Sequence, residues 1–371
     1  MESTLSPSTQ LSAAQDAKSP MLAGLRRQFL AMDLFIVSFM LLVIGWTLLS
    51  MVAPGVRLYP HEPRYAWAEI GNGPLLVRLI EILCAYLIAQ RFGVYYHRNF
   101  FTTGRKAPLW LSIANLVYVF LPILLVPIVF NLLGAFIAGV SGVPGIHTHA
   151  SFDPLVTYDP AATWWDLWLK EADVAIAGVY PALWFRQFHT PALVGLMMLC
   201  YLAYYVSPLV AVLPQIFRRD WRKVRHGAAV FAGALMTTYI GYILVPATGP
   251  RFEGGFSQWM AEPGAWFFTE FWQRTLDEAE VIRWDAFPSG HVAIATVALV
   301  VALKYHRQVG LVYAPFVAGL LFATVFLGYH YMTDVLFGLL FAAFAFLAID
   351  PLARWWESIW PVTDAQRQKA A

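Results

Sequence analysis

Residues 109–140 contain no Asp, Glu, Lys or Arg. A stretch of that length without charge has no polar stripe to turn toward water, and a bilayer core of roughly 30 Å needs about 20 apolar residues of helix. Seven further apolar runs lie near 33–53, 75–92, 192–214, 226–246, 289–304, 310–328 and 333–350. Composition agrees: 59% of the residues are hydrophobic and 13% are charged, where soluble domains carry about a quarter charged. In lipid each segment must satisfy its own backbone, which favours helices. The chain therefore reads as an all-α integral membrane protein of about eight transmembrane helices. The 109–140 run contains Pro122 and Pro127 and is expected to kink or to continue as a re-entrant piece.

Basic residues orient the spans, because cationic loops are retained on the cytoplasmic side. With the N-terminus inside, 17 of the 25 Lys and Arg fall in cytoplasmic segments, most densely in "RRDWRKVRH" at 218–226. Both termini are then expected to be cytoplasmic. The same basic stretch also suits anionic lipid headgroups, which agrees about the side. Residues 1–24, rich in Ser, Ala, Pro and Gln, read as a disordered tail without a signal peptide. Cys84 and Cys200 both sit within apolar runs and say nothing of redox compartment. Of the two long outer connections, the first holds "TWWDLWLKEADVAIAGV" at 163–179. Its Trp164, Trp165 and Trp168 among acidic residues suit an interfacial anchoring helix, at about 160–180, or a roof over a lipid groove.

This topology collects three polar clusters on one face. They are "VPATGPRF" (245–252), "FPSGH" (287–291) and "GYHYMTD" (328–334). If the last is helical, His330 and Asp334, four apart, share a face. The carboxylate then accepts from one ring nitrogen and leaves the other as nucleophile or base. In "FPSGH", Pro288 and Ser289 suit a helix start, Ser289 as its cap, and Gly290 allows a ligand to approach the backbone. The first turn makes an anion site, where a protonated His291 meets a phosphate or its leaving oxygen. Arg251 adds a guanidinium that holds phosphate oxygens bidentately.

"FPSGH", followed 38 residues later by "HYMTD", resembles the second and third signature motifs of the type 2 phosphatidic acid phosphatase superfamily. These are integral-membrane, vanadium-haloperoxidase-like enzymes. "VPATGPR" is similar to the degenerate first motif of the branch that includes inositol phosphorylceramide synthases, and the "HY" before the aspartate resembles sphingolipid synthases. The segment 158–185 is similar to one that precedes the core in that branch. The resemblance implies a six-helix catalytic core over 109–350, with two accessory helices in 25–108 and a cytoplasmic tail at 351–371. It implies that His330 attacks phosphorus to form a phosphohistidine, oriented by Asp334, while His291 protonates the departing alcohol and then activates the acceptor. Arg251, Ser289 and the Gly290 backbone would hold the phosphoryl oxygens.

The implied substrate is a membrane lipid, with water or an alcohol or lipid acceptor, at the extracytoplasmic face. No metal, cofactor or nucleic-acid partner is expected. The sequence departs from the family pattern where two cations are usual, at Leu244 and Thr324. Arg283 is the nearest substitute, although a salt bridge to Asp285 or Glu280 is an equal reading. These losses tilt the expectation from simple phosphatase toward phosphotransferase.

Other polar residues have plainer readings. His147 and His149 lack a third ligand and read as a solvated loop. Asp173 matches an acidic position of the branch, able to contact a headgroup or cap the site, but reads first as a surface carboxylate. Arg78 and Glu81 read as a pair. Three rival classes remain: a transporter relaying protons through His291, His330 and Asp334, a bis-histidine haem carrier, and an intramembrane serine protease. The last is disfavoured because Pro288 precedes the serine where a Gly-x-Ser-Gly setting is expected.

Overall fold

The computed structural model describes residues 20–52, 72–101, 106–121, 128, 130, 164–218, 220–252, 267–279 and 284–359. The N-terminal tail before residue 20, Pro122 and Pro127, His147 and His149, Arg283 and the chain beyond 359 lie outside the described residues. Among those described, the regular structure is helical. In chain order we label α1 (Pro20–Gln28), α2 (Ala31–Val52), α3 (Asn72–Tyr96), α4 (Leu109–Leu121), α5 (Trp164–Ala177), α6 (Pro191–Phe217), α7 (Trp221–Leu244), α8 (Phe267–Ala279), α9 (Gly290–Tyr305), α10 (Arg307–Phe326), α11 (Met332–Phe344) and α12 (Asp350–Glu357).

Helices stand at all eight positions read from the sequence, and among the described residues five are long and apolar enough to cross a bilayer. These are Ala31–Leu49, Pro191–Phe217, Trp221–Leu244, Arg307–Phe326 and the continuous run Met332–Glu357. The other three differ for physical reasons. α3 carries Arg78, Glu81 and Arg91, with the expected Arg78–Glu81 pair at 3.0 Å. The described part of the third run, α4, ends at Leu121. α9 has 16 residues, about 24 Å of helix, short of the hydrocarbon thickness.

The length of α9 is explained by its place. It packs against α6, α7, α10 and α11 and buries Gly290, Ala293, Ala295, Ala298 and Ala302. A helix enclosed by other helices has no lipid thickness to match, and small residues let its neighbours come close. α7 is built in the same way, with Ala228, Ala229, Ala232, Gly233 and Ala234 all buried. Leucines that a soluble core would hide instead face outward, such as Leu196, Leu199 and Leu209 on α6. That inversion is what a lipid solvent permits, because hydrocarbon is as apolar as leucine.

Polar ties fix the helices that flank this core. Asp33 at the start of α2 is fully buried and accepts from Tyr86 at 2.7 Å, Tyr118 at 2.5 Å, Gln90 at 3.3 Å and the Leu30 N–H at 2.8 Å. One carboxylate thus joins α2, α3 and α4, and a buried charge survives because it is saturated with donors. At the same end, Arg26 of α1 donates to the Trp356 carbonyl at 3.3 Å and Ser358 Oγ at 2.9 Å, with its guanidinium 4.4 Å over the Trp355 ring. Arg225 of the 218–226 stretch lies 3.8 Å from Glu357 and 2.8 Å from His97. The beginning and end of the described chain therefore meet beside the basic cluster. The three motifs occupy the opposite end: α7 finishes before the first, α9 starts within the second, and the third joins α10 to α11.

Candidate active site

The three motifs are laced together through their main chains. The Ala286 N–H donates to the Ala247 carbonyl at 3.0 Å, Arg251 N–H to Gly328 at 2.8 Å, and Ser289 N–H to Asp334 at 3.0 Å. Beneath them Leu169, Ala247, Ala286, Phe287 and Tyr331 form a separate buried apolar cluster. Every motif contributes to it, so the segments share one floor. Gly249 takes φ +90° and lies against the Tyr329 carbonyl, where a Cβ would collide. Glycine is required there on both counts.

His330 and His291 face each other, with Nε2 of His330 3.3 Å from Nδ1 of His291. Nδ1 of His330 lies 2.8 Å from the Ala286 carbonyl. A carbonyl only accepts, so Nδ1 carries the proton and Nε2 keeps its lone pair. The sequence assigned this orienting bond to Asp334, which does stay beside the ring, but the shorter bond goes to the Ala286 carbonyl. Asp334 Oδ2 is 3.5 Å from the ring nitrogen and accepts the Tyr331 N–H at 2.8 Å. The reason is where the helix begins: α11 starts at Met332, so His330 stands before it rather than one turn below Asp334 on a common face.

The second motif starts α9 as expected. Ser289 is its N-cap, accepting the Val292 N–H at 3.4 Å, and is fully buried. A Cβ on Gly290 would collide with the Tyr242 hydroxyl. The close approach that this glycine allows is thus made by Tyr242. The 287–288 peptide bond is cis. Arg251, in a short 3₁₀ turn that ends the first motif, lies 4.9 Å above the ring of Tyr329.

Of the two positions where the resembled pattern has a cation, Leu244 is 67% exposed. The Thr324 hydroxyl donates to Leu321 of its own helix at 3.0 Å, while the Thr324 carbonyl accepts the His330 N–H at 3.0 Å. Position 324 therefore shapes the site through its backbone.

Sequence reasoning underrated or missed two groups of residues. The first is on α5. Asp173, read as a surface carboxylate, is buried. It accepts from the Met332 and Thr333 N–H groups at 2.8 and 2.7 Å and from the Thr333 hydroxyl at 2.6 Å. Burial pushes its carboxyl above the ordinary carboxylate range, against the pull of these donors. Two turns earlier, buried Asp166 accepts from Thr248 N–H and Gly249 N–H, both at 2.9 Å, and from the Tyr331 hydroxyl at 3.1 Å. The acidic face of α5 grips the first and third motifs, while Leu167, Trp168, Val174 and Ile176 face outward. A helix that buries carboxylates and exposes apolar side chains is turned for a lipid boundary. The seven-residue spacing of Asp166 and Asp173, which places both on one helical face, was the available signal.

The second group is aromatic. Tyr201 stacks on His291 at 4.6 Å, Tyr204 lies against it at 4.3 Å, and Tyr329 stacks on Tyr201 at 4.5 Å. No local pattern marks α6 tyrosines as neighbours of a motif some 90 residues on.

A family model described as the PAP2 superfamily matches residues 167–348. No curated protein and no solved structure matches the chain. The matched span holds all three motifs and both histidines, and the match points to an activity of the lipid phosphatase type. In its motif-bearing segment, this chain is similar to the PAP2 superfamily.

Proposed function

We propose that the protein cleaves or transfers a phosphoryl-containing lipid headgroup through a phosphohistidine. The carrying observation is the His330 ring, held by the Ala286 carbonyl with its Nε2 lone pair aimed at His291. In the first step Nε2 of His330 forms a bond to phosphorus as the bond to the lipid oxygen breaks. A protonated His291 gives its proton to the leaving alcohol. In the second step water or an acceptor alcohol loses a proton to His291 and attacks phosphorus, and the N–P bond breaks. Arg251 and the N-terminal turn of α9 stabilise the phosphoryl oxygens. Attack and protonation each need contact distances of about 3 Å, so the two imidazoles, 3.3 Å apart, separate to seat phosphorus between them.

The apolar spans and the exposed apolar face of α5 support a lipid substrate. The basic end of the bundle, where the two ends of the described chain meet, supports a cytoplasmic location for both termini and an extracytoplasmic site. Transfer to an alcohol, as in inositol phosphorylceramide synthases, is the second reading. It is favoured by Leu244 and Thr324, whose side chains supply no phosphate-binding cation.

The test is release of phosphate from lipid phosphates, or transfer of a labelled headgroup to an acceptor lipid, by purified protein. We expect His330→Ala to abolish turnover and His291→Ala to lower it by at least about 10²-fold, with the wild-type reaction unaffected by EDTA. Acid-labile label trapped on wild-type protein should be absent from His330→Ala. Undiminished turnover by His330→Ala, or an absolute need for added divalent metal, refutes the mechanism.

A further inference from the structure

Arg251, Tyr329, Tyr201 and His291 form one continuous stack. The guanidinium lies 4.9 Å from the Tyr329 ring, Tyr329 lies 4.5 Å from Tyr201 with 21° between planes, and Tyr201 lies 4.6 Å from His291 with 30° between planes. Tyr204, one turn along α6, closes the imidazole from a second side at 4.3 Å and 51°. Tyr201 is fully buried and Tyr329 nearly so. Their cluster includes Leu276 of α8 and Phe326 of α10, so the column is wedged between helices.

We propose that Tyr201 and Tyr204 are positioning residues for His291, fixing the plane of its imidazole for proton delivery to the leaving oxygen. This rests on the reading of His291 as the proton donor. Three physical arguments carry it. An imidazolium in a largely dehydrated site loses its water, and aromatic faces supply a partial replacement through their quadrupoles. A near-parallel stack also restrains a ring to motion in its own plane. His291 can thus draw back from His330 when phosphorus enters, while its nitrogens stay in the plane of the reaction. Finally, Tyr329 extends the stack to Arg251, so the proton donor and the phosphate-holding cation share one rigid column. α6 places these rings because positions 201 and 204 are three apart and share a face.

The test separates proton delivery from general integrity of the fold. Cleavage of octyl phosphate needs a proton on the departing alkoxide, whereas the phenolate of 4-nitrophenyl phosphate leaves without one. We expect Tyr201→Leu to lower kcat on octyl phosphate by about 10²-fold and on 4-nitrophenyl phosphate by less than about tenfold. Tyr201→Phe, which keeps the ring face, should stay within a few-fold of wild type on both. Tyr204→Leu supplies the same comparison at a less buried position if Tyr201→Leu does not fold.

Equal losses on the two esters, or wild-type rates for both leucine variants, overturn the positioning role. In that case inactive His330→Ala together with leaving-group-dependent His291→Ala leaves the underlying mechanism standing. Wild-type protein that cleaves neither ester, or His291→Ala equally impaired on both, removes that mechanism and this proposal with it.

Discussion

Replacing Asp166 tests whether the first motif is held in place from outside its own segment. Its Oδ1 accepts the Thr248 N–H, the Gly249 N–H and the Tyr331 hydroxyl at 2.9, 2.9 and 3.1 Å, and Oδ2 lies 3.2 Å from the Thr248 nitrogen. Asp166→Ala strands two buried backbone donors, at about 1–3 kcal/mol each, and removes the tyrosine bond as well. The expected destabilisation is about 3–5 kcal/mol. Asp166→Asn can place its carbonyl oxygen where Oδ1 stood and keep all three bonds at neutral strength. Its amide then faces the Thr248 N–H as a second donor, at a cost of about 1–2 kcal/mol.

The motif also carries Arg251 two residues beyond Gly249, so loosening it should move the guanidinium. The assays are thermal unfolding in detergent and inhibition by inorganic phosphate. Stability and phosphate affinity should both fall in the order wild type, Asn, Ala. An alanine variant within about 0.5 kcal/mol of wild type, or an asparagine variant as damaged as alanine, would show that these hydrogen bonds do not hold the motif.

Arg251→Lys should lower kcat/KM by at least about tenfold despite its retained charge, because an ammonium has neither the planar fork nor the flat face that lies over Tyr329; steady-state kinetics on a lipid phosphate checks it. Acidification should destabilise the protein through His189, which donates from Nε2 to the Phe326 carbonyl at 2.9 Å and is lowered by burial to about 4. The unfolded chain binds a proton below its ordinary value of 6.5 where the folded one does not, so this stability is present above pH 6.5 and lost as pH falls toward 4. The unfolding free energy between pH 7.5 and 4.5 should fall more steeply for wild type than for His189→Gln, by about 1–2 kcal/mol for this partly buried group, as followed by thermal melts. Parallel curves would count against it.

Local patterns carried much of this protein. Apolar length located a described helix within each of the eight runs, five of them long and apolar enough to cross a bilayer, because a segment in lipid must satisfy its own backbone. The caps of α9 were legible because a Ser at a helix start bonds three residues ahead, as Ser289 does to Val292. The gathering of "VPATGPR", "FPSGH" and "HYMTD" at one end followed from counting crossings between them.

What tertiary structure decided lies beyond the reach of local spacing. Asp166 meets Thr248 across 82 positions and Tyr331 across 165, and Asp173 meets Met332 across 159. Only the docking of α5 brings those donors to carboxylates that the sequence presents as surface charge. The partner of His330 turned on a two-residue matter: α11 begins at Met332, so the carbonyl of Ala286, the residue just before the second motif, reaches Nδ1 more closely than Asp334 does. The central place of α9 likewise excuses its short length, which enclosure by four neighbours grants and no periodicity records. The sequence determined which residues are candidates for chemistry and at which end of the bundle they emerge. Packing between helices determined which atoms touch, because a hydrogen bond or a stacked ring depends on distances of an ångström that only the assembled bundle sets.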